Sequence, residues 1–153
     1  MYKKYFSIVI GLIFSANALQ AQTTNVNDAD IVAVKQVIQN MFTAMKTSDT
    51  GLIKSCFSNN AVFQTIVTKN GKTEVRNELV QDFINSVGKQ PAGSLDERIK
   101  IDTILIDSTL ASVWTSYQFY YKGQYSHQGV NSFQLVHLSE GWKIQYLIDT
   151  RRK

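Results

Sequence analysis

The stretch HQGVNSFQLVHLSEGWKIQYLIDTRR, residues 127–152, decides the fold. Apolar and polar residues alternate along it on both sides of Ser139-Glu140-Gly141, which is a turn signal. Alternation of this kind is typical of strands with one buried face, and such a short connection joins antiparallel neighbours. The stretch therefore predicts a hairpin of two long strands, over residues 126–138 and 142–150.

Further alternating segments lie upstream of this hairpin, at residues 98–106 and 111–121. Turn residues separate them, so the four strands after Asp96 form an antiparallel meander. Earlier in the chain, AVFQTIV (residues 61–67) is rich in β-formers, and Asn70-Gly71 offers a tight hairpin turn. These segments predict a mainly antiparallel sheet.

Helical periodicity is confined to the first part of the chain. Apolar residues recur at steps of three and four over residues 31–46, which predicts an amphipathic helix capped by Asp28 or Asp30. Asp49 predicts the cap of a second, shorter helix, which ends at the turn signal of residues 58–60.

A third helix is predicted between the Asn70-Gly71 turn and the meander. Its apolar face contains four residues, and Gly88 is placed to terminate it. These four are Val75, Leu79, Phe83 and Val87. Three helices followed by a long meander predict an α+β domain in which a strongly curved sheet covers the apolar faces of the helices.

The first 21 residues have the pattern of a secretory signal peptide. Lys3 and Lys4 precede an apolar run over residues 5–14, and small and polar residues then lead to a cleavage point after Ala21. The run is shorter than the about 20 residues that a membrane-spanning helix needs, so no stable membrane anchor is expected. We predict a periplasmic or secreted protein with one domain over residues 22–153.

Charge and cysteine content exclude several function classes. Cleavage removes two lysines, so the formal net charge of +4 falls to +2, and Arg151-Arg152-Lys153 is the remaining basic run. A nucleic-acid partner is therefore not expected. Cys56 cannot form an internal disulfide, and its helical spacing favours a buried thiol over a nucleophile. No metal-ligand spacing occurs, and neither a metal nor a cofactor is predicted.

Three stretches carry a resemblance to a known superfamily: AMKTSDTGLIKSCFSNNAVF (44–63), ASVWTSYQFYY (111–121) and the opening stretch at 127–152. Their order resembles that of the nuclear transport factor 2-like (NTF2-like) superfamily, which includes ketosteroid isomerase. The last stretch is most similar to the branch named putative lumazine-binding. The resemblance implies a cone-shaped fold and a homodimer formed through the sheets.

The catalytic residues of ketosteroid isomerase are not expected here. The resemblance would place a tyrosine on the first helix and a carboxylate base on the strand after the second helix. The first helix offers Phe42 and Met45 instead, and residues 61–67 contain no acid. No residue of this chain therefore inherits a catalytic role from that enzyme.

Alternation within the meander predicts which side chains face the hollow of the cone. Counting from buried anchors turns Tyr117, His127 and Asn131 inward, together with aromatic residues that would form an apolar lining. The predicted ligand-binding residues are Phe63, Tyr117, Phe119, His127, Asn131 and Phe133. On the opposite face of the sheet, Trp114 and Tyr120 are the predicted interface residues of a homodimer.

Several roles remain open among these residues. His127 fits ligand binding, a structural role or acid–base catalysis, for which Tyr117 or Asp149 would orient the imidazole. Gly129 marks either a bend or space for a ligand. Asp149 and Arg151 form either an ion pair or an anion-binding rim.

Three functional hypotheses follow from these residues. The first is binding of an unidentified small molecule in an aromatic-lined pocket. The second is a cofactor-free lyase, isomerase or hydrolase that uses His127. The third is a dimeric protein-interaction module whose cone is filled.

Overall fold

The computed structural model of this protein describes residues 27–153, so the predicted signal peptide lies outside the described residues. The described chain contains three helices and one six-stranded sheet. The helices are α1 (Asp28–Thr47), α2 (Thr50–Cys56) and α3 (Val80–Gly88). The strands are β1 (Phe57–Lys69), β2 (Lys72–Glu78), β3 (Leu95–Asp107), β4 (Leu110–Tyr121), β5 (Gln124–Leu138) and β6 (Gly141–Thr150). The α+β prediction is confirmed.

The sheet is curved, unclosed and mostly antiparallel. Its strand order is β2-β1-β6-β5-β4-β3. The meander from β3 to β6 pairs in chain order, as the short turns predict. The parallel pairing is between β1 and β6, where Phe63 lies opposite Leu147. This pair joins the β1–β2 hairpin to the meander.

The hydrophobic core lies between α1 and the concave face of the sheet. Val34 and Ile38 of α1 are fully buried, as are Phe133 and Leu135 of β5. Phe42 meets Phe133 edge to face, with ring centroids 6.2 Å apart. Each side chain of this size contributes roughly 1.5–3 kcal/mol when it leaves water, so the α1 contact is a major source of stability.

The first helix has a different cap from the one predicted. Asn27 accepts a hydrogen bond from the backbone N–H of Ala29 and is the N-cap. Asp30 instead accepts a 3.0 Å hydrogen bond from Trp142 Nε1. The carboxylate thereby ties the first turn of α1 to the start of β6. Asp49 caps α2 as predicted, accepting from the backbone N–H of Leu52.

The third helix is shorter than predicted, because strand pairing continues further along the chain. Val75 lies in β2 opposite Ile66 and is largely exposed, and Leu79 is the exposed N-cap of α3. Ladder hydrogen bonds with β1 outweigh the helical spacing of these apolar residues. Likewise, residues 58–60 lie inside β1, at a register shift against β6, rather than forming a turn.

Cys56 is buried at the end of α2, and its Sγ donates a hydrogen bond to the carbonyl of Leu52. Burial raises the pKa of the thiol, although Ser55 and Lys143 oppose the shift. A thiol with a raised pKa is a poor nucleophile. Both observations agree with the predicted structural role.

Candidate functional site

A cavity of about 260 Å³ lies between α1, α3 and the concave face of the sheet. Aromatic and thioether side chains form much of its wall, and polar residues cluster at the sheet side. The apolar wall includes Met41, Met45, Phe63, Phe83, Phe119 and Leu147. Phe63 and Phe83 pack edge to face, with centroids 5.2 Å apart, which fixes one side of the wall.

Four of the six predicted ligand-binding residues line this cavity: Phe63, Phe119, His127 and Asn131. Tyr117 and Phe133 face inward as predicted, but they lie outside its lining. Phe133 is fully buried against α1. The hydroxyl of Tyr117 donates a 2.9 Å hydrogen bond to the carbonyl oxygen of Thr150. These two buried side chains lie behind the residues that line the cavity.

Gly129 is required for a close backbone approach. A Cβ atom there would lie 1.8 Å from the carbonyl oxygen of Thr150 and 2.7 Å from Tyr117 Cε1. Immediately alongside, Gln128 and Arg152 exchange backbone hydrogen bonds of 2.9 and 2.8 Å. The missing side chain therefore makes room for the end of β6 at Thr150, and this explains the glycine without a ligand.

A register shift in β6 changes which of its later side chains face inward, so that Leu147 and Asp149 lie on the concave face. Leu135 pairs with Ile144, whereas Gln134 pairs with Tyr146, so Gln145 is an extra residue in the ladder. An extra residue of this kind reverses which later side chains face the core. Asp149 consequently shares the concave face with Ile144, although strict alternation would place the two on opposite faces.

Asp149 and Arg151 form an ion pair beside the cavity. Arg151 Nε lies 3.0 Å from Asp149 Oδ2, and its terminal nitrogen donates to Thr65 Oγ1 at 3.2 Å. Both charged residues line the cavity, and Asp149 is only 6% exposed. Its second oxygen, Oδ1, has no hydrogen-bond partner among the described residues. The ion-pair interpretation therefore fits better than a free anion-binding rim.

Glu97 reaches the same region from β3. Its Oε1 accepts a 3.0 Å hydrogen bond from Asn131 Nδ2, and the same amide donates to Thr115 Oγ1 at 3.2 Å. Burial raises the pKa of Glu97 to about 7, and the nearby Asp149 charge contributes to the increase. The Asn131 hydrogen bond opposes it. Glu97 can therefore exchange a proton near neutral pH.

The other titratable groups respond to the same surroundings. Burial raises the pKa of Glu78, with Asp149 adding to the shift and Arg151 opposing it. The pKa of Tyr117 is also raised, first by burial and then by the charges of Asp149 and Glu97. Both shifts indicate that negative charge is costly in this region.

His127 packs as an aromatic ring in the cavity wall. Its centroid lies 5.0 Å from that of Phe119 and 5.7 Å from that of Tyr117. Among residues 27–153, its ring nitrogen Nδ1 has one hydrogen-bond partner, the Ser126 hydroxyl at 3.0 Å. Burial lowers the pKa of the imidazole, and Arg151 lowers it further, so the neutral ring predominates at neutral pH. Neither Tyr117 nor Asp149 orients it by a hydrogen bond.

The sequence-based prediction missed the contribution of Glu78 and Glu97 to this cavity. For Glu97 a signal exists, because it lies two residues from both Leu95 and Ile99 and therefore shares one strand face with these apolar residues. An acidic residue within an inward-facing series is a candidate for a polar site. For Glu78 no local signal exists, since the predicted third helix covered its position.

Among the described residues, no group of three potential metal ligands is close enough to hold an ion. In the same part of the chain, no helix has both the length and the apolar character needed to span a membrane.

The family described as "Putative lumazine-binding" matches residues 29–145. The chain belongs to this family. The match covers α1 through the first half of β6, and so includes most of the residues around the cavity. The description of this family favours a small-molecule-binding role.

Solved structures confirm the NTF2-like fold of this chain. An NTF2-like protein from Shewanella baltica is similar with a TM-score of 0.66 and 16% identity, covering 82% of this chain and 96% of the other. One from Methylobacillus flagellatus has a TM-score of 0.64 and 16% identity, covering 84% and 97%. A protein with a cystatin-like fold from Nostoc punctiforme has a TM-score of 0.65 and 20% identity, covering 83% and 80%. Comparison with curated proteins yields no match.

Proposed function

We propose that this protein binds a small, partly apolar aromatic molecule in its cavity. The observation that carries the proposal is the 260 Å³ cavity, which combines an aromatic wall with polar groups gathered on one side. The volume is just below the range of about 300–1,000 Å³ that is usual for ligand pockets, so it suits one or two rings. Lumazine, from which the family takes its description, is a two-ring heterocycle of this class.

Affinity and orientation would come from different residues. Phe63, Phe83 and Phe119 offer ring faces and edges on which an aromatic ligand can pack. Asn131 and His127 would orient the ligand by hydrogen bonds. A cavity of this size favours the binding hypothesis over an interaction module with a filled cone.

Blocking the mouth of the cavity tests the proposal. Ser86 is an exposed residue of α3 that also lines the cavity, so Ser86→Trp is expected to close the mouth without disturbing the core. Asn85→Trp places the same ring one residue away, outside the lining. Native mass spectrometry of protein purified from its own host should show a retained small molecule in the wild type and in Asn85→Trp. Equal retention by Ser86→Trp would contradict binding at this site.

Acid–base catalysis is the second candidate function, and Glu97 is the residue that favours it. A carboxyl group whose pKa is about 7 can give or accept a proton at neutral pH. The catalytic group of a cofactor-free lyase, isomerase or hydrolase would then be Glu97 rather than His127. Glu97→Gln should abolish turnover, so this variant should release the bound substrate unchanged. His127→Ala should retain turnover.

We also propose a homodimer formed through the convex face of the sheet. Trp114 is 47% exposed there, and Tyr120 packs against Tyr125 with Arg98 over its ring. Large aromatic groups with a cationic neighbour are common at the centre of protein interfaces.

The proposed location is the periplasm or the outside of the cell. This proposal rests on the leader before residue 22. Mass spectrometry of the protein from its host should give an N-terminus near Gln22. An intact leader on the bulk of the protein would reject the proposal.

A further inference from the structure

Acidic groups outnumber basic groups around the cavity. Glu78 comes from β2, Glu97 from β3 and Asp149 from β6, whereas Arg151 is the one cation in the described lining. His127 is neutral near neutral pH, because burial and Arg151 lower the pKa of its ring. Three carboxyl groups against one guanidinium make this an acidic cavity, even though the whole chain has a formal net charge of +4.

Arg151 is already engaged by protein groups. Its Nε is paired with Asp149 Oδ2, and a terminal nitrogen donates to Thr65 Oγ1. An anionic ligand would have to compete with Asp149 for the guanidinium while facing Glu78 and Glu97. Like charges at close range in a poorly solvated site are strongly unfavourable, so an anion is a poor match.

Asp149 Oδ1 supplies an independent indication. The residue lines the cavity and is more than nine-tenths buried, yet this oxygen has no partner in the described chain. A buried charged oxygen without a hydrogen bond is costly. This oxygen is fully enclosed by the protein, so a ligand does not bond to it directly, but a positive charge in the adjacent cavity would offset its cost electrostatically.

The aromatic wall adds a second attraction for positive charge. The rings of Phe63, Phe83 and Phe119 surround the space next to the carboxyl groups. Aromatic faces attract cations, and planar cations with several N–H donors can both stack on rings and bind carboxylates.

From these contacts we infer that the ligand carries a planar cationic group, such as an amidinium or a protonated ring amine, bound between the aromatic wall and the carboxylates of Asp149 and Glu97. The inference rests on the proposed binding function and specifies its ligand class. A neutral heterocycle would use the same N–H contacts but would leave the acidic charge uncompensated.

Proton exchange on binding distinguishes the ligand classes. The titratable and charged groups around Glu97 and Glu78 are Asp149 and Tyr117 from the sheet, Arg151 just after β6, Asp82 from α3, and His127 in the same lining. A bound cation favours the ionised form of both glutamates, so their pKa values fall. Because the pKa of Glu97 is about 7, this carboxyl group releases protons near neutral pH when a cation binds. A bound anion has the opposite effect and takes up protons.

Benzamidine, benzamide and benzoate provide a matched set of probes, because they share one ring and differ in charge. We expect benzamidine to bind roughly tenfold more tightly than benzamide, and benzoate to bind most weakly. Calorimetry at neutral pH in two buffers of different ionisation enthalpy should show proton release with benzamidine. Proton uptake, or binding of benzoate at least as tight as that of benzamidine, overturns the inference while leaving the proposed function intact.

Glu97→Gln tests the assignment of the site. The variant should lose most of the proton release and most of the preference for benzamidine over benzamide. Glu74→Gln makes the same change at an exposed residue of β2 outside the lining and should keep both. Unchanged proton release in Glu97→Gln would remove Glu97 from the site. Failure of all three probes to bind, in protein whose folded state circular dichroism verifies, would count against the proposed function itself.

Discussion

The side-chain amide of Asn131 donates a 3.0 Å hydrogen bond to Glu97 Oε1, although the two residues lie on β5 and β3 with β4 between them. The curvature of the sheet brings the two strands' side chains together over Thr115, which accepts the second amide proton. One amide thus satisfies two acceptors beside the cavity, and its bond to Glu97 opposes the rise in the pKa that burial causes.

Glu97 should make the stability of the protein fall as the pH rises. The pKa is about 7 in the folded protein and 4.5 ordinarily, so the folded state binds the proton more tightly. The resulting stabilisation is fully present below the unfolded pKa and is lost as the pH rises through 7, by roughly 3 kcal/mol. Urea unfolding between about pH 5 and pH 8 measures it. Glu97→Gln should flatten this dependence, whereas Glu74→Gln should retain it.

Removing the Asn131 amide should raise the pKa of Glu97 further. The hydrogen bond stabilises the ionised carboxylate, so Asn131→Ala favours the protonated form and costs about 1–3 kcal/mol of stability. Carbon-detected NMR titration of the Glu97 carboxyl measures the pKa directly. Thr115→Val leaves the donation to Glu97 in place and is the control. An unchanged titration in Asn131→Ala would show that burial alone sets the pKa.

Gly129→Ala should destabilise the protein by about 1–3 kcal/mol or more, because its Cβ would overlap the backbone at Thr150. Backbone there cannot move without breaking the bridge between Gln128 and Arg152. Gly51→Ala is the control, since its Cβ would lie 3.4 Å from the Asp49 side chain within a helix. Thermal denaturation should separate the two variants, and similar transitions would argue that the end of β6 shifts to accommodate the added Cβ.

Two of the three phenylalanines predicted to bind ligand, Phe119 and Phe133, should behave differently when replaced. Phe133→Ala should cost about 3–5 kcal/mol, because Phe133 is fully buried against Phe42. Phe119→Ala should cost less, since Phe119 is only partly buried and faces the cavity. Urea denaturation compares the two, and a larger loss in Phe119→Ala would contradict the placement of Phe133 in the core.

Trp114→Glu should convert the proposed homodimer into a monomer. A buried, unpaired charge at the centre of an interface is strongly unfavourable, whereas the same residue in an isolated subunit remains solvated. Light scattering gives the mass. Val32→Glu introduces the same charge at an exposed position of α1 and should leave the mass unchanged. A wild-type mass equal to that of Trp114→Glu would rule out this interface.

Local patterns located most of the strands and helices but not the whole site. Alternation around Phe133 and Leu135 correctly turned His127 and Asn131 inward, because no irregularity separates these residues on β5. On β6 the same reasoning fails at Gln145. The extra residue there is set by the pairing with β5 and has no signal in the local sequence. The ion pair of Asp149 and Arg151 reaches the cavity only through that irregularity.

Glu78 and Glu97 were missed for a related reason. The predicted third helix covered Glu78, and the predicted third strand began one residue after Glu97. Both glutamates lie at element ends, where the partner strand decides how far pairing extends. Sequence periodicity therefore located the cavity wall but not its acidic side.

The central position of β6 makes this domain's assembly sequential. Because β6 joins β1 to β5, residues before Gly141 can build only two separate pieces of sheet, a hairpin and a three-stranded ribbon. Each piece exposes an unpaired edge until β6 inserts between them. Nearly the entire domain must therefore leave the ribosome before the cone can close. Until then, the unpaired edges of the two pieces are open to pairing with strands of other chains.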